Sequence, residues 1–241
     1  MVYNEMEKNK LAIVVIVYNT SKLLAKQVEC VRKFCKDDFD ILVFDNSTEP
    51  SVIEDIKYLT TELNVEYFKL YSAESKGSRS NAFACNFAYF ALRGKYNFFL
   101  YLDHDTFPLR DFSIPGILVG RAIGGVGQLK KKSYFMQNCL MWDDSIIDQS
   151  LIDFSVNNEL GLDTGGNLYK IIEKYTEGAC VFFNEKYYQN PYFREGFYNF
   201  YSTFNDDMFM HFINGSGWNP TPNNEERINA LLNVLNERIN G

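Results

Sequence analysis

Long apolar runs are missing from this sequence, and so is any excess of positive charge. The longest uninterrupted hydrophobic stretch, Leu11-Ala-Ile-Val-Val-Ile-Val-Tyr18, has eight residues, far short of the ~20 that span a bilayer. Lys and Arg number 24 against 31 Asp and Glu, a formal net charge of −7, which speaks against nucleic-acid binding. Cysteine is sparse and unpaired in pattern: Cys30, Cys35, Cys85, Cys139 and Cys180 form no CxxC. That excludes a disulfide framework and a zinc site, and it suits a reducing compartment. No leader is visible, because Met1–Lys10 is polar and the apolar run after it lacks a small-residue cleavage site. The expected location is cytoplasmic, extending to the inner membrane face. No glycine-rich basic loop follows the first apolar run, where Tyr18-Asn-Thr-Ser21 stands instead; nucleotidyltransferases usually carry such a loop there.

What is present is an ordinary globular composition, 46% hydrophobic and 23% charged over 241 residues, enough chain to bury one sizeable core. Aromatics reach 16%, which serves stacking on sugars or bases and equally reflects compositional bias. The first hundred residues alternate between strand and helix periods. Leu11–Tyr18 reads as a strand covered on both faces. Thr20 or Ser21 then caps a helical stripe through Leu23, Leu24, Val28, Val31 and Phe34. Ile41–Phe44 is a second strand, Val52–Leu59 a second helix and Val65–Tyr71 a third strand. Arg79–Leu92 is a third helix, and Asn97–Leu102 a fourth strand running into Asp103-His-Asp105. Such alternation with short connections predicts a mostly parallel, doubly wound α/β sheet in one domain. Ligands in such sheets sit outside the carboxyl ends of the strands, where Tyr18, Asp45, Asp103 and Asp105 fall.

Beyond residue 106 the pattern loosens. Five glycines between 116 and 127 break the chain, Lys130-Lys-Lys132 reads as a loop, and Ala179–Phe183 as a buried strand. Asp206–Ile213 is expected to open a helix. Residues 224–240 carry Ile228, Leu231, Leu232, Leu235 and Ile239 at helical spacing, an amphipathic helix that docks on the body or meets a membrane or partner.

In extended backbone the side chains of Asp103 and Asp105 point the same way. Two carboxylates there make a hard-oxygen site for Mn2+ or Mg2+ shared with a substrate diphosphate, or else a solvated turn. Asp45-Asn-Ser is an Asx-type turn or a contact to a base N–H with Tyr18 stacked on the ring. Asp206-Asp207 supplies either charge at a helix start or a general base whose pKa its neighbour raises. His211, four residues past Asp207, is a hydrogen-bond partner of Asp207 or a packed histidine, and His104 a spacer. Trp142 reads as a core anchor and Asp163 as part of a turn. Lys130–Lys132 attracts a diphosphate or anionic headgroup, or is solvated.

These segments, in order, resemble an inverting glycosyltransferase of family 2 with the GT-A fold. The matching stretches are Val14-Val-Ile-Val-Tyr-Asn19, Val43-Phe-Asp-Asn-Ser47, Gly77-Ser-Arg-Ser-Asn81, Phe99-Leu-Tyr-Leu-Asp-His-Asp105 and Thr176-Glu-Gly-Ala-Cys-Val-Phe-Phe183. Pro191-Tyr-Phe-Arg-Glu through Phe204-Asn-Asp-Asp207 completes the series. The Asp-His-Asp-Thr form is similar to rhamnosyltransferase-type members. The resemblance implies a Rossmann-like nucleotide-binding half over 11–105 and an acceptor half over 106–213. It implies Tyr18, Asp45, Arg79, Asn81 and Asp103 at the nucleotide, and Asp105 with Asp103 and His211 at a Mn2+ or Mg2+ ion. Asp207 with Asp206 becomes the catalytic pair, and Gly178, Ala179, Trp142 and Asp163 the acceptor contacts. The implied partners are a UDP- or dTDP-type nucleotide-sugar donor and a glycan or lipid-linked glycan acceptor, with peripheral membrane association and no nucleic acid. The readings set against this are a nucleotidyltransferase and a non-catalytic nucleotide-sugar-binding module.

Overall fold

The computed structural model describes residues 10–71, 77–175, 177–189, 200–213 and 224–240. Its chain order is β1 (Leu11–Val17), α1 (Leu24–Phe34), β2 (Phe39–Asp45), α2 (Pro50–Glu62), β3 (Glu66–Lys69), α3 (Gly77–Leu92), β4 (Phe98–Asp103), β5 (Thr106–Pro108) and α4 (Ile114–Leu118). There follow β6 (Ile123–Leu129), β7 (Ser133–Asp143), α5 (Tyr169–Lys174), β8 (Cys180–Phe182), β9 (Glu185–Tyr188), β10 (Tyr201–Phe204), β11 (Phe209–Phe212) and α6 (Asn224–Asn240).

Seven strands form the main sheet in the order β3-β2-β1-β4-β7-β6-β8. β7 alone opposes the rest, pairing antiparallel with β4 and β6. The expected Rossmann-like, mostly parallel α/β sheet is therefore present. β1 shows why it forms. All seven of its residues are buried, and its alternate side chains enter two separate cores. Leu11, Ile13, Val15 and Val17 pack with α1, α4 and α6, whereas Ala12, Val14 and Ile16 pack with α3 and α5. A strand covered on both faces must be apolar throughout. All five cysteines are free and buried, as the absent pairing pattern predicts.

A second sheet, β5-β11-β10-β9, is antiparallel throughout. It corrects the expected helix over Asp206–Ile213: residues 205–208 are the turn of the β10–β11 hairpin, and His211 lies on a strand. Asn205, Asp206 and Asp207 all have positive φ, 53°, 53° and 62°, a left-handed run that Asn and Asp tolerate and a helix start does not. The short run Phe209-Met-His-Phe212 satisfies a strand as well as a helix, and pairing with β10 and β5 decides between them. The C-terminal helix is as expected, burying Ile228, Leu231, Leu235 and Ile239 in the main core. Among the described residues no helix is long and apolar enough to cross a membrane.

Candidate functional site

The carboxyl ends of β1, β2 and β4 open into a cleft of about 350 Å3. Its walls include Tyr18 and Asn46 from the first two strand ends, Ser80 and Asn81 from α3, and Asp103, His104 and Asp105 after β4. Lys130 and Tyr134 come from the β6–β7 hairpin, Asp163 and Thr164 from the loop before α5, and His211 from β11.

Short polar ties hold these walls. Asn19 donates its backbone N–H to Ser47 Oγ at 2.8 Å and accepts through Oδ1 from the Thr48 N–H at 2.8 Å, which locks the β1 end, with Tyr18, to the β2 end. Asn46 Nδ2 donates to Ser80 Oγ at 2.7 Å, and Thr164 Oγ1 donates to the Ser78 carbonyl at 2.9 Å. The Asp163-Thr-Gly-Gly166 turn packs against β7 because Gly165 has φ 82° and a Cβ there would stand 2.6 Å from the Phe135 carbonyl oxygen. Only glycine fits both demands.

The Asp103–Thr106 turn is held from below by Gln27, a fully buried residue of α1. Its Nε2 donates to the carbonyls of Asp103 and Thr106, each at 2.7 Å. His104 Nδ1 donates to the Ile16 carbonyl at 3.2 Å, so it tethers the turn to β1 and is more than a spacer. The pairing of His211 with Thr106 then sets His211 Nε2 3.5 Å from Asp105 Oδ1, an ion-pair distance beyond good hydrogen-bond geometry. Burial pushes the Asp103 carboxyl up, and the Asp105 charge pushes it further. Burial works the same way on Asp105, yet the His211 charge outweighs it and holds Asp105 below the usual carboxylate range. Burial would lower His211, but Asp105 raises it on balance.

Five buried polar atoms in and beneath this turn have no hydrogen-bond partner: Gln27 Oε1, His104 Nε2, Asp105 Oδ1, Thr106 Oγ1 and His211 Nδ1. Folded proteins satisfy nearly all such atoms, and three of these belong to residues that line the cleft, His104, Asp105 and His211, a place suited to a polar ligand or ion. Among the described residues no three His, Cys, Asp or Glu side chains gather closely enough to enclose a metal. Asp105 and His211, with Asp103 beside them, are the side chains of this cleft that could hold an ion. A Mg2+ or Mn2+ ion that keeps waters and shares a diphosphate needs no more protein than that.

Of the residues expected at the site, Tyr18, Asn81, Asp103, Asp105, Asp163 and His211 line this one cleft. The others do not. Asp45 is fully buried, and both carboxylate oxygens are taken, Oδ1 by the Ser47 N–H and Oδ2 by the Tyr67 hydroxyl, each at 2.8 Å. It makes the Asx turn, and Asn46 reaches the cleft instead. Arg79 is exposed on α3 outside the lining. Trp142 is fully buried, stacked on Phe99 with centroids 4.8 Å apart, so it is a core anchor. It pairs near the start of β4, and Ala179 precedes Cys180, the partner of Ile123 at the start of β6. Gly178 and Ala179 thus lie at the amino edge of the sheet, opposite the cleft.

Asp206 and Asp207 occupy the hairpin turn, which packs beside Leu109 through the Met208 carbonyl. Neither acid lines the cleft. The Thr203 hydroxyl holds the Asp207 carboxyl below its ordinary range, against slight burial and with help from Lys186. Sequence reasoning missed Gln27, Asn46 and Ser80. Gln27 carried one legible signal, a polar residue on the apolar stripe of α1. The Pro191–Glu195 stretch and Thr176 lie outside the described residues.

No family model matches the chain, and no curated protein does. Solved structures resemble it distantly. The mannosyltransferase PcManGT from Pyrobaculum calidifontis, solved in complex with GDP-Man and Mn2+, aligns over 71% of this chain at 16% identity and TM-score 0.48. TarS of S. aureus aligns over 63% at 14% identity and TM-score 0.42, and TarS 1–349 in complex with UDP-GlcNAc over 60% at 13% identity and TM-score 0.40. The aligned part covers 54% of the mannosyltransferase and 31% and 48% of the two TarS chains, so this chain spans about half of their length or less.

Proposed function

We propose that this protein is a divalent-metal-dependent glycosyltransferase that moves a sugar from a nucleotide-diphosphate donor to a hydroxyl of a glycan or lipid-linked glycan. The observation that carries this reading is the buried Asp105 Oδ1, without a hydrogen bond and 3.5 Å from His211 Nε2, at the carboxyl end of a central strand and in one cleft with Tyr18 and Asn81. In this reading the nucleotide lies over the ends of β1 and β2, with Tyr18 against the base and Asn46 and Asn81 as its polar contacts. Asp103, Asp105 and His211 would hold Mn2+ or Mg2+, which when bound stabilises negative charge on the leaving diphosphate. Lys130 adds a cation across the same cleft.

The acceptor hydroxyl must lose a proton as it attacks, and a positioned carboxylate gives roughly 10²–10⁴ in rate. Asp163 is assigned that part, because it is the remaining carboxylate among the described cleft residues and it is exposed to an incoming substrate. Half-buried Asp103 and buried Asp105 face the ion instead. A family 2, inverting, rhamnosyltransferase-type assignment belongs to the same reading and rests on the motif resemblance.

The test is hydrolysis and transfer from UDP-, dTDP- and GDP-sugars with and without Mn2+, in wild type and Asp105→Asn. Metal-dependent turnover that falls by at least about 100-fold in the variant is expected. Nucleotide-sugar binding with no turnover under any acceptor would establish the binding module in its place, and pyrophosphate release from a nucleoside triphosphate would establish the nucleotidyltransferase.

A further inference from the structure

We propose that the outer face of α3 docks on an anionic lipid bilayer. Phe83, Phe87 and Phe90 are 39%, 47% and 64% exposed. Spaced i, i+4 and i+7, they form one stripe along the helix, and the rings of Phe83 and Phe87 stand 6.1 Å apart. The opposite side of α3, with Ala84, Cys85, Ala88, Tyr89 and Leu92, is what packs on the sheet. Among the described residues, no element covers the outer edges of the three rings. Single exposed apolar residues are common on proteins, but a continuous aromatic stripe is not.

Charge identifies the occupant. From Gly77 to Leu102 the sequence contains no Asp or Glu, in a chain with 31 of them. The same stretch carries Arg79, Arg93 and Lys95, all exposed. Arg79 sits one turn before Phe83, and Arg93 follows Phe90 with its guanidinium 4.2 Å from that ring's centroid. The carboxylates that touch the helix are turned inward: Asp153 bonds Asn86, Ser155 and Asn167, and Asp144 accepts from Tyr89. A cation-capped aromatic stripe is the chemistry of a helix lying at a membrane surface, its rings at the headgroup–acyl boundary and its guanidinium groups on lipid phosphate. Phenylalanine offers a nucleic acid or polar protein surface no hydrogen bond. The first turn of α3 also lines the cleft, so a bilayer along this face would lie beside the cleft mouth, where a lipid-linked acceptor would be presented. That last consequence rests on the proposed function; the docking itself does not.

The experiment is co-sedimentation of the full chain, without donor or metal, with phosphatidylglycerol–phosphatidylcholine vesicles and with pure phosphatidylcholine vesicles. Wild type is expected to partition onto the anionic vesicles and to come off as salt rises. The triple variant Phe83→Gln, Phe87→Gln, Phe90→Gln should partition at least tenfold less, Arg93→Glu should also lose binding, and both should keep the wild-type melting curve. Phe90→Gln alone, at the most exposed ring, covers the case of a poorly folded triple variant and should weaken partitioning severalfold. The proposal is overturned if wild type ignores anionic vesicles or if the Phe variants bind as wild type does. A sizing column showing that the stripe joins two copies, with the dimer lost in the Phe variants, would overturn it too. Omitting donor and metal keeps its failure separate from failure of the proposed activity.

Discussion

His211 Nε2 stands 3.5 Å from Asp105 Oδ1, a contact created by the pairing of β11 with β5 directly after the Asp-His-Asp turn. Two chain segments distant in sequence thus converge on one point, and each group shifts the other toward its charged form.

That relationship makes metal-free stability depend on pH. A group whose pKa rises on folding stabilises the fold below its unfolded value and loses that contribution as pH climbs through the folded value. His211 rises from an ordinary 6.5 and Asp103 from 3.8, so both give up stability toward the alkaline side. Asp105, lowered from 3.8, has the opposite slope and withdraws its contribution only as pH falls below that value. The melting temperature of the metal-free protein should therefore decline as pH climbs from about 4 through about 7, the range over which Asp103 gives up its proton, and further above 6.5 as His211 does. His211→Gln should flatten the decline. A melting curve already flat in wild type across that interval would contradict the arrangement.

Gln27 gives a second prediction. Its amide is the tie beneath the Asp103–Thr106 turn, and Gln27→Leu keeps the volume while leaving two carbonyls unanswered. A loss of about 1–3 kcal/mol in urea unfolding is expected, together with weaker Mn2+-dependent donor binding in calorimetry. A variant with wild-type stability and affinity would mean that the turn holds itself.

The acids separate the motif reading from the geometric one. Asp163→Asn should lower transfer by roughly 10²–10⁴ with donor affinity little changed. Asp207→Asn, in the hairpin turn outside the cleft, should stay within a few-fold of wild type in the same assay. The reverse ranking would restore the Asp206-Asp207 pair as the catalytic one.

Trp142 is a matter of packing. Trp142→Ala should cost about 3–5 kcal/mol, read as a lowered urea midpoint, because the indole fills the core against Phe99 and Tyr89. An acceptor-stacking tryptophan would instead leave stability near wild type and raise the acceptor KM.

Legibility followed the range of the forces involved. The alternation of strand and helix, the two-sided burial of β1 and the place of Asp103 and Asp105 at a strand end are local consequences of residue period, so the chain could be read for them directly. The Asx turn at Asp45 was equally local, but its two alternatives differed only in whether Tyr67 would come to occupy the second oxygen. Trp142 looked the same in sequence whether it was to meet a sugar or Phe99.

The amino-acid order alone thus determines the parallel sheet, its rim of carboxylates and the absence of disulfides, because hydrophobic period and side-chain chemistry act within a few residues. Only tertiary structure decided that Asp206–Ile213 would be a hairpin, that His211 would reach Asp105 and that Asp207 would be carried away from the cleft. A segment of four residues such as Phe209–Phe212 suits either period, and the hydrogen bonds that β5 and β10 offer select the strand.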